Sequence, residues 1–278
     1  MKVVKMSESE APLIPDQRRE ALMRLLHQQP VLSVLQLTDL LGVSHMTVRR
    51  DIAALEREGR AISVPGGVRL ASGLRHEPSF QDKTTSETAQ KRAIAAHART
   101  LLRNDMSVYL DAGTTTGSLV AELQAFTGLS IITNDFAIVD DLYGATNVEV
   151  IHVGGRLDHS NRSSVGRLAA ETLRKLNVDL AFISTVSWDL QRGVTTPSDL
   201  KVDVKRAAIG AASTAVLLAS SSKFGTFGMY DVVPLNRFDR IVTDSGLAEA
   251  AAEGIRDLGL TLDLVPVQET ETSYAAGA

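Results

Sequence analysis

The sequence of 278 residues contains no cysteine, one tryptophan and few aromatic residues of any kind, at 4% of the chain. The absence of cysteine excludes disulfides and thiolate chemistry, and a metal site would have to use the six histidines, which show no metal-ligand spacing. We therefore expect neither a metal nor a cofactor. No apolar run approaches the ~20 residues that cross a bilayer, and the polar start lacks the apolar core of a signal peptide. These absences predict a cytoplasmic protein without a membrane partner.

Length and charge indicate two domains of different character. The chain is long for one compact unit, and 44% hydrophobic residues are enough for a sizeable core. The net charge is −4, but residues 1–72 carry ten Lys or Arg against eight Asp or Glu, so this part is +2 and the remainder −6. A basic N-terminal part suits a nucleic-acid partner, although an ordinary solvated surface has a similar balance.

Residues 16–70 have the pattern of three helices followed by a hairpin. The first helix has a leucine stripe, and Ser33 caps a second helix that ends at Gly42. After a short turn, Ser44 caps a third helix that runs to Gly59. The order of these elements predicts a helix-turn-helix.

The third helix has a buried side and a free side. Val48, Ile52 and Leu55 are spaced as one apolar stripe, which leaves the opposite face and its flank to solvent. The cap and the candidate DNA-binding positions at the start of this helix are Ser44, His45, Met46, Thr47, Arg49 and Arg50. A recognition helix enters the major groove of double-stranded DNA with its first turns, where arginine donates two hydrogen bonds to guanine or binds phosphates.

The segment Ala61–Leu70 alternates in character around Pro65-Gly66-Gly67, which predicts a β-hairpin with a tight tip. We interpret it as a wing. Gly66 and Gly67 would let its tip approach the DNA backbone, and Arg60 and Arg69 flank it with positive charge.

Two simpler interpretations compete with DNA binding. Adjacent arginines often belong to a solvated helix face, and Asp51 and Glu56 would then pair with them. A three-helix unit with a hairpin can also bind a partner protein. The order of capped helix, turn, capped helix and wing favours DNA, and steep weakening of binding with salt distinguishes DNA from a mainly apolar protein contact.

Residues 73–86 lack apolar periodicity and are expected to form a linker, and residues 87–267 have a different pattern. Seven strand-like runs there alternate mostly with helical segments: Val108 to Leu110, Leu129 to Ile132, Val148 to Val153, Leu180 to Ile183, Ala215 to Leu218, Ile241 to Thr243 and Leu260 to Val265. Runs of Val, Ile and Leu without strict alternation predict a mainly parallel sheet covered by helices on both faces.

Small polar loops follow four of these runs, at residues 111–117, 133–135, 154–155 and 220–223. Ligands of open parallel sheets bind beyond the carboxyl ends of the strands. Backbone N–H groups, threonine hydroxyls and Lys223 together suit a phosphate. Each loop alone is more typical of an ordinary turn or helix cap, but convergence at one sheet edge favours a pocket.

The run of residues 43–52, followed by Leu55, Gly59 and Gly66-Gly67, resembles the signature of the DeoR family of sugar-catabolism transcriptional repressors (DeoR/GlpR-type). Further segments in family order are Lys91 to Ala95, Asp111 to Thr115, Thr133-Asn134, Gly154-Gly155, Gly193 to Thr195, Lys205-Arg206 and Ser222 to Gly225, so the resemblance covers about residues 16–265. Two departures are Pro65, where relatives commonly carry His, and Ser220, where they often carry an acidic residue.

The resemblance implies a winged helix-turn-helix followed by a larger α/β domain similar to the ribose-phosphate isomerase and CoA-transferase fold. It also implies a phosphorylated sugar or related metabolite as effector. The effector-binding candidates that it gives are Asp111, Gly113, Thr114, Thr115, Asn134, Gly154, Gly155 and Lys223.

The expected organisation is a DNA-binding domain at 16–72, a linker at 73–86, an effector-sensing domain at 87–267, and disordered ends at 1–15 and 268–278. The expected function is repression of a carbohydrate-catabolism operon, relieved by the effector, with no catalytic residues. Because one recognition helix reads few base pairs, we expect a homodimer or homotetramer. The alternative is a sugar-phosphate isomerase, in which Asp111 with Lys223 would be the available pair for proton abstraction next to a carbonyl.

Overall fold

A computed structural model describes residues 13–268 of the chain. The N-terminal elements are α1 (Pro15–Gln28), β1 (Val31–Ser33), α2 (Val34–Leu41), α3 (His45–Arg57), β2 (Ala61–Val64) and β3 (Gly67–Leu70). The three strands form one antiparallel sheet in the order β1-β3-β2. This arrangement confirms the predicted helix-turn-helix and its hairpin.

The predicted caps explain where the two helices of the helix-turn-helix begin. Ser33 Oγ accepts from the backbone N–H of Gln36 at 3.1 Å, while the Gln36 side chain accepts from the N–H of Ser33 at 2.8 Å. Ser44 Oγ accepts from the N–H of Thr47 at 3.2 Å at the start of α3. These bonds satisfy N–H groups that have no partner inside the helix. Behind them, leucines of α1 and α2 pack against the apolar stripe of α3 in one small core.

The segment expected to be a linker contains regular structure. It contains most of β4 (Ser72–Leu74) and all of α4 (Phe80–Thr85). Ser79 caps α4, and β4 pairs in parallel with a strand of the second domain. Hydrogen bonds therefore stabilise these two elements, although their sequence has no apolar periodicity. Of the ends expected to be disordered, residues 1–12 and 269–278 lie outside the described residues, and α1 already begins at Pro15.

The second domain alternates strands and helices, as predicted. Its helices are α5 (Thr88–Ala98), α6 (Thr114–Gly117), α7 (Phe136–Leu142), α8 (Arg167–Leu173), α9 (Asp199–Ala211) and α10 (Glu249–Asp257). Its strands are β5 (Ser107–Leu110), β6 (Leu129–Thr133), β7 (Val148–His152), β8 (Arg156–Asp158), β9 (Ser163–Val165), β10 (Val178–Ser184), β11 (Ser187–Asp189), β12 (Gly193–Thr196), β13 (Ala212–Leu218), β14 (Thr226–Gly228), β15 (Tyr230–Val233), β16 (Arg240–Asp244) and β17 (Thr261–Val265).

Seven strands form one parallel sheet in the order β17-β16-β13-β10-β5-β6-β7. All seven predicted runs are members of this sheet, and apolar clusters cover both of its faces, as the lack of alternation indicated. The chain goes from β5 outward to β6 and β7, and then returns to β10 on the other side of β5. The loops after β5 and β10 therefore diverge, which opens a crevice at the carboxyl ends of these central strands.

No helix within residues 13–268 is both long and apolar enough to cross a membrane. Within the same range, no three His, Asp or Glu side chains converge in a way that would hold a metal ion.

Candidate functional site

The first turns of α3 present an exposed surface. Its apolar residues Val48, Ile52 and Leu55 are buried, as their spacing predicted. The candidate residues on the exposed side are Ser44, His45, Met46, Arg49 and Arg50, with Thr47 half-buried and bonded to the cap. Met46 is 62% exposed. The start of α3 is therefore open to a partner.

The carboxylates near the two arginines are engaged elsewhere, contrary to the solvated-face alternative. Asp51 is buried and forms a two-pronged ion pair with Arg18 of α1. Glu56 is also buried, and it accepts from the backbone N–H of Ser63 at 3.0 Å and from the Ser63 hydroxyl at 2.8 Å. Within residues 13–268, neither Arg49 nor Arg50 forms an ion pair or hydrogen bond through its side chain. Their charge is free to act on a ligand.

The wing residues divide into exposed and internal ones. Gly66 is exposed at the tip, whereas Gly67 is buried, and a Cβ at Gly67 would lie 2.4 Å from the backbone oxygen of Leu32. Arg60 pairs with Glu20 at 2.7 Å, and Arg69 donates to the carbonyl of Phe224 at 3.1 Å in the second domain. Gly67 and both arginines therefore have structural contacts that the sequence interpretation as DNA-binding residues did not include.

One side of α3 faces the second domain across a cleft of about 480 Å³. Arg49 and the wing tip line it on one side, and residues 245–250, which include the start of α10, line the other. Arg50 does not belong to this lining. The two arginines thus have different surroundings. Arg49 lines the cleft between the two domains, and Arg50 is exposed outside that cleft.

A polar pocket lies at the crevice between β5 and β10. Its lining comes from the loop after β5, the ends of β10 and β12, helix α9, the segment around α4, and Lys223 after β13. The residues are Glu77, Lys83, Ala112, Gly113, Thr114, Thr115, Ser184, Thr185, Val186, Thr195, Thr196, Lys201, Lys205 and Lys223. This lysine pocket, with four lysines against one carboxylate in its lining, is suited to an anion.

Three of the four lysines already have anionic partners. Glu77 accepts from Lys83 at 2.6 Å and from Lys201 at 2.5 Å through its two oxygens. Lys205 donates to Asp111, below the pocket, and to the carbonyl of Ser184 at 2.7 Å. The ammonium of Lys223 makes no hydrogen bond or ion pair with any residue between 13 and 268. Lys223 is therefore the cation that a bound anion would neutralise.

The pKa values reflect this uneven pairing. Burial alone would raise the pKa of the Glu77 carboxyl, but the charges and hydrogen bonds of Lys201 and Lys83 outweigh burial and lower it to about 2. For Lys223, burial dominates and lowers the pKa of the ammonium to about 8. An anion next to Lys223 would stabilise the charged form that burial disfavours.

Of the effector-binding candidates, Gly113, Thr114, Thr115 and Lys223 line this pocket. Gly113 is required for its shape, because a Cβ there would lie 2.5 Å from the Ser184 hydroxyl oxygen. Asp111 is only 2% exposed and accepts from the Ser184 N–H at 3.0 Å, which places it beneath the pocket as a partner of Lys205.

Three other candidates, Asn134, Gly154 and Gly155, do not belong to this lining. Asn134 is buried and accepts from the N–H of Ala112 at 3.0 Å, so it holds the loop after β5 in place. Gly154 and Gly155 follow β7, at the far edge of the sheet from β10. A Cβ at Gly155 would lie 2.9 Å from the backbone oxygen of Val165, so this glycine serves packing.

Sequence reasoning missed Glu77, Lys83, Lys201 and Lys205, because linker and helix positions were not considered for the pocket. Lys201 and Lys205 are four residues apart on α9, on the same side as the buried Val204. Charged residues on the apolar side of a predicted helix are the signal that could have identified them.

Comparisons with known proteins agree with this division of the chain. Residues 18–73 match the family described as DeoR-like helix-turn-helix domain, and residues 86–245 match the DeoR C terminal sensor domain. A relative from Haemophilus influenzae, named as an uncharacterized HTH-type transcriptional regulator, is 43% identical over 92% of this chain and 100% of its own. The transcriptional repressor AccR of Agrobacterium fabrum is 30% identical over 82% of this chain and 89% of its own.

Among solved structures, ribose 5-phosphate isomerase A from Methanocaldococcus jannaschii is 16% identical over 48% of this chain and 53% of its own, with a TM-score of 0.35.

Proposed function

Because the chain belongs to the DeoR family of helix-turn-helix transcriptional regulators, we propose that it represses a carbohydrate-catabolism operon and leaves DNA when a phosphorylated sugar or related metabolite binds the lysine pocket. The observation that carries the proposal is that two cationic sites have no anionic partner among the described residues 13–268. One is the start of α3 with Arg49 and Arg50, and the other is Lys223 in the sensor domain. The first suits duplex DNA and the second a small anion.

Family membership identifies the chain as a regulator and not an enzyme, which removes the isomerase alternative. The site chemistry agrees. The only carboxylate that the isomerase alternative offered as a base, Asp111, is buried beneath the pocket and neutralised by Lys205. A general base must lie within hydrogen-bond reach of the proton that it takes, and Asp111 does not line the pocket.

A second cavity of about 260 Å³ lies next to the lysine pocket and offers the volume that an effector of the size of a sugar needs. The two share Gly113 and Thr114, and Thr84, Thr88 and Asp135 supply polar groups on the far side. We propose that the anionic group of the effector binds beside Lys223 and that its hydroxylated part extends into this cavity. The chain would act as a dimer or tetramer, in which paired recognition helices read two half-sites.

The DNA part is tested with the region upstream of the protein's own gene, compared with random duplex of equal length at low ionic strength. We expect clear preference for the native region and a steep loss of affinity as salt rises. Arg50→Ala should weaken specific binding by about tenfold or more and reduce the salt slope by about one. The control Arg174→Ala, at an exposed arginine of the sensor domain, should leave both unchanged. Equal binding to native and random duplex contradicts the proposal.

The effector part is tested by calorimetry with pentose and hexose phosphates. Lys223→Gln should lose at least tenfold in affinity for any phosphate that binds the parent chain, because the variant lacks the unpaired ammonium. Lys175→Gln, at an exposed lysine outside the pocket lining, should bind as the parent does. Unchanged affinity in Lys223→Gln would remove the lysine pocket from the proposal.

A further inference from the structure

The linker carboxylate Glu77 lies in the lysine pocket between two of its lysines. Its side chain is 11% exposed, and each oxygen contacts a different ammonium, that of Lys83 on α4 and that of Lys201 on α9. With this side chain in place, the remaining cavity is about 20 Å³, which is room for about one water molecule. A sugar phosphate cannot enter the pocket as it stands.

The two contacts of Glu77 have the geometry of a bound anion. Two carboxylate oxygens bridge two ammonium groups from separate elements, and a phosphoryl group offers the same arrangement with a third oxygen and a higher charge. That third oxygen would meet Lys223, which has no partner among residues 13–268. A dianion therefore matches this set of lysines better than the single charge of Glu77 does.

We propose that Glu77 is an internal occupant of the effector site, and that the anionic group of the effector binds by displacing the Glu77 carboxylate from Lys83 and Lys201. This inference rests on the proposed function of the pocket and adds the event that binding produces. The effector affinity is then reduced by the competition with Glu77, as for any site whose binding-competent state is only partly populated.

The displacement acts on the segment that joins the two domains. Glu77 lies between β4 and α4, and β4 begins two residues after the wing strand β3 ends. The segment is fastened on one side of Glu77 by the pairing of β4 with β14, and on the other by the Phe80 N–H donating to the carbonyl of Ser160 at 2.8 Å. Loss of the Glu77 contacts would release the middle of this segment, which follows directly from the wing strand.

The first experiment measures binding of inorganic phosphate to the full chain by calorimetry. Glu77→Gln keeps the size of the side chain but removes the charge that holds both lysines, so we expect at least tenfold tighter binding of phosphate than in the parent. Glu253→Gln, at an exposed acid of α10 without a side-chain hydrogen bond or ion pair among the described residues, controls for the change of net charge and should bind as the parent does. Equal or weaker binding in Glu77→Gln overturns the proposal.

The second experiment needs no variant and separates displacement from simple repulsion between two anions. Saturating phosphate should increase amide hydrogen exchange of the parent chain in residues 72–85, because the released segment opens more often. A decrease of exchange there would mean that Glu77 stays and the pocket tightens around it, which overturns the displacement whatever the affinity of Glu77→Gln.

Lys223→Gln distinguishes the failure of this inference from that of the proposed function. If Lys223→Gln loses phosphate binding while Glu77→Gln gains none, the pocket is real and only the displacement is wrong. If Lys223→Gln binds phosphate as the parent does, the anion pocket itself is wrong. Absence of phosphate binding in the parent and in Glu77→Gln overturns both.

Discussion

The guanidinium of Arg69, on wing strand β3, donates a 3.1 Å hydrogen bond to the backbone carbonyl of Phe224, the residue that follows the pocket lysine Lys223. A second close contact lies beside it, because Gly225 approaches Ile62 of the wing so closely that a Cβ at Gly225 would lie 2.2 Å from the Ile62 side chain. The DNA-binding domain thus touches the loop that carries the pocket lysine Lys223. A change at Lys223 has a short physical route to the wing.

Arg69→Met should loosen this contact without removing a charge from the exposed face of α3. A hydrogen bond to a charged donor contributes about 1.5–3 kcal/mol, so we expect local opening of the neighbouring strand β14 to become about tenfold more frequent. Hydrogen exchange of the Thr226–Gly228 amides measures it. Arg75→Met, at an exposed arginine without a side-chain partner in the described part of the chain, should leave these amides as protected as in the parent. Equal exchange in both variants would show that the Arg69 bond does not hold the loop.

The two wing glycines should respond differently to alanine. At Gly67 the added Cβ meets the Leu32 oxygen at 2.4 Å, inside the pairing of β1 with β3, and overpacking of this kind costs about 1–3 kcal/mol together with a shift of the backbone. At Gly66 the added Cβ would have no other atom within 4 Å. The substitution there is opposed by the left-handed backbone conformation, φ +76°, at a cost of about 1–2 kcal/mol. We expect Gly67→Ala to lower operator affinity through a displaced wing and Gly66→Ala to bind nearly as the parent. Operator titrations at one salt concentration compare them, and a larger loss in Gly66→Ala would contradict the structural role of Gly67.

The sheet could be predicted from the sequence because its strands are rich in Val, Ile and Leu and lack a strict alternation of apolar and polar residues. Leu180 to Ile183, for instance, are all buried inside β10, and a strand covered on both faces needs no alternation. The helix-turn-helix was equally accessible, since Ser33 and Ser44 act through hydrogen bonds to residues three positions away. Local chemistry fixes both features.

The pocket could be predicted only in part, because its pairs are distant along the chain. Glu77 and Lys201 are 124 residues apart, and Asp111 and Lys205 are 94 apart. No local pattern tells which carboxylate neutralises which lysine. The loops after β5 and β13 were recognised by their composition. Gly154 and Gly155 do not line the pocket because the strand order places β7, which they follow, at the edge of the sheet. The sequence does not reveal that order.

Loss of the ion pair between Asp111 and Lys205 should lower the free energy of unfolding of the chain. Both side chains are almost fully buried, and Asp111→Asn leaves the Lys205 ammonium without a charged partner. Removing one member of a buried pair typically costs about 3–5 kcal/mol, which urea unfolding of the full chain measures. The double variant Asp111→Asn with Lys205→Met should recover much of that loss, since no charge remains buried. If Asp111→Asn is as stable as the parent, the ion pair does not stabilise the region beneath the pocket.

Anion binding should depend on pH through Lys223. Burial lowers the pKa of this ammonium to about 8, so the group is charged at neutral pH and loses its proton as pH rises through that value. Glu87, Lys91, Lys83 and Glu77 are the charged groups that act on it. Because the anion needs the charged form, its affinity should be constant below the pKa and then fall by up to tenfold per pH unit. Sulfate is a suitable probe, since it remains a dianion throughout this range.

Two variants assign that pH dependence to Lys223. Lys223→Arg keeps a cation that does not titrate below about pH 12, so sulfate affinity should no longer fall between about pH 8 and 9.5. Lys223→Gln should bind weakly at every pH, with no break near 8. The direction is set by the sign of the shift: a lysine whose pKa is lowered loses its charge earlier on the way to alkaline pH than an exposed lysine does. A fall of affinity that persists unchanged in Lys223→Arg would assign the titration to another group of the pocket and leave Lys223 charged throughout.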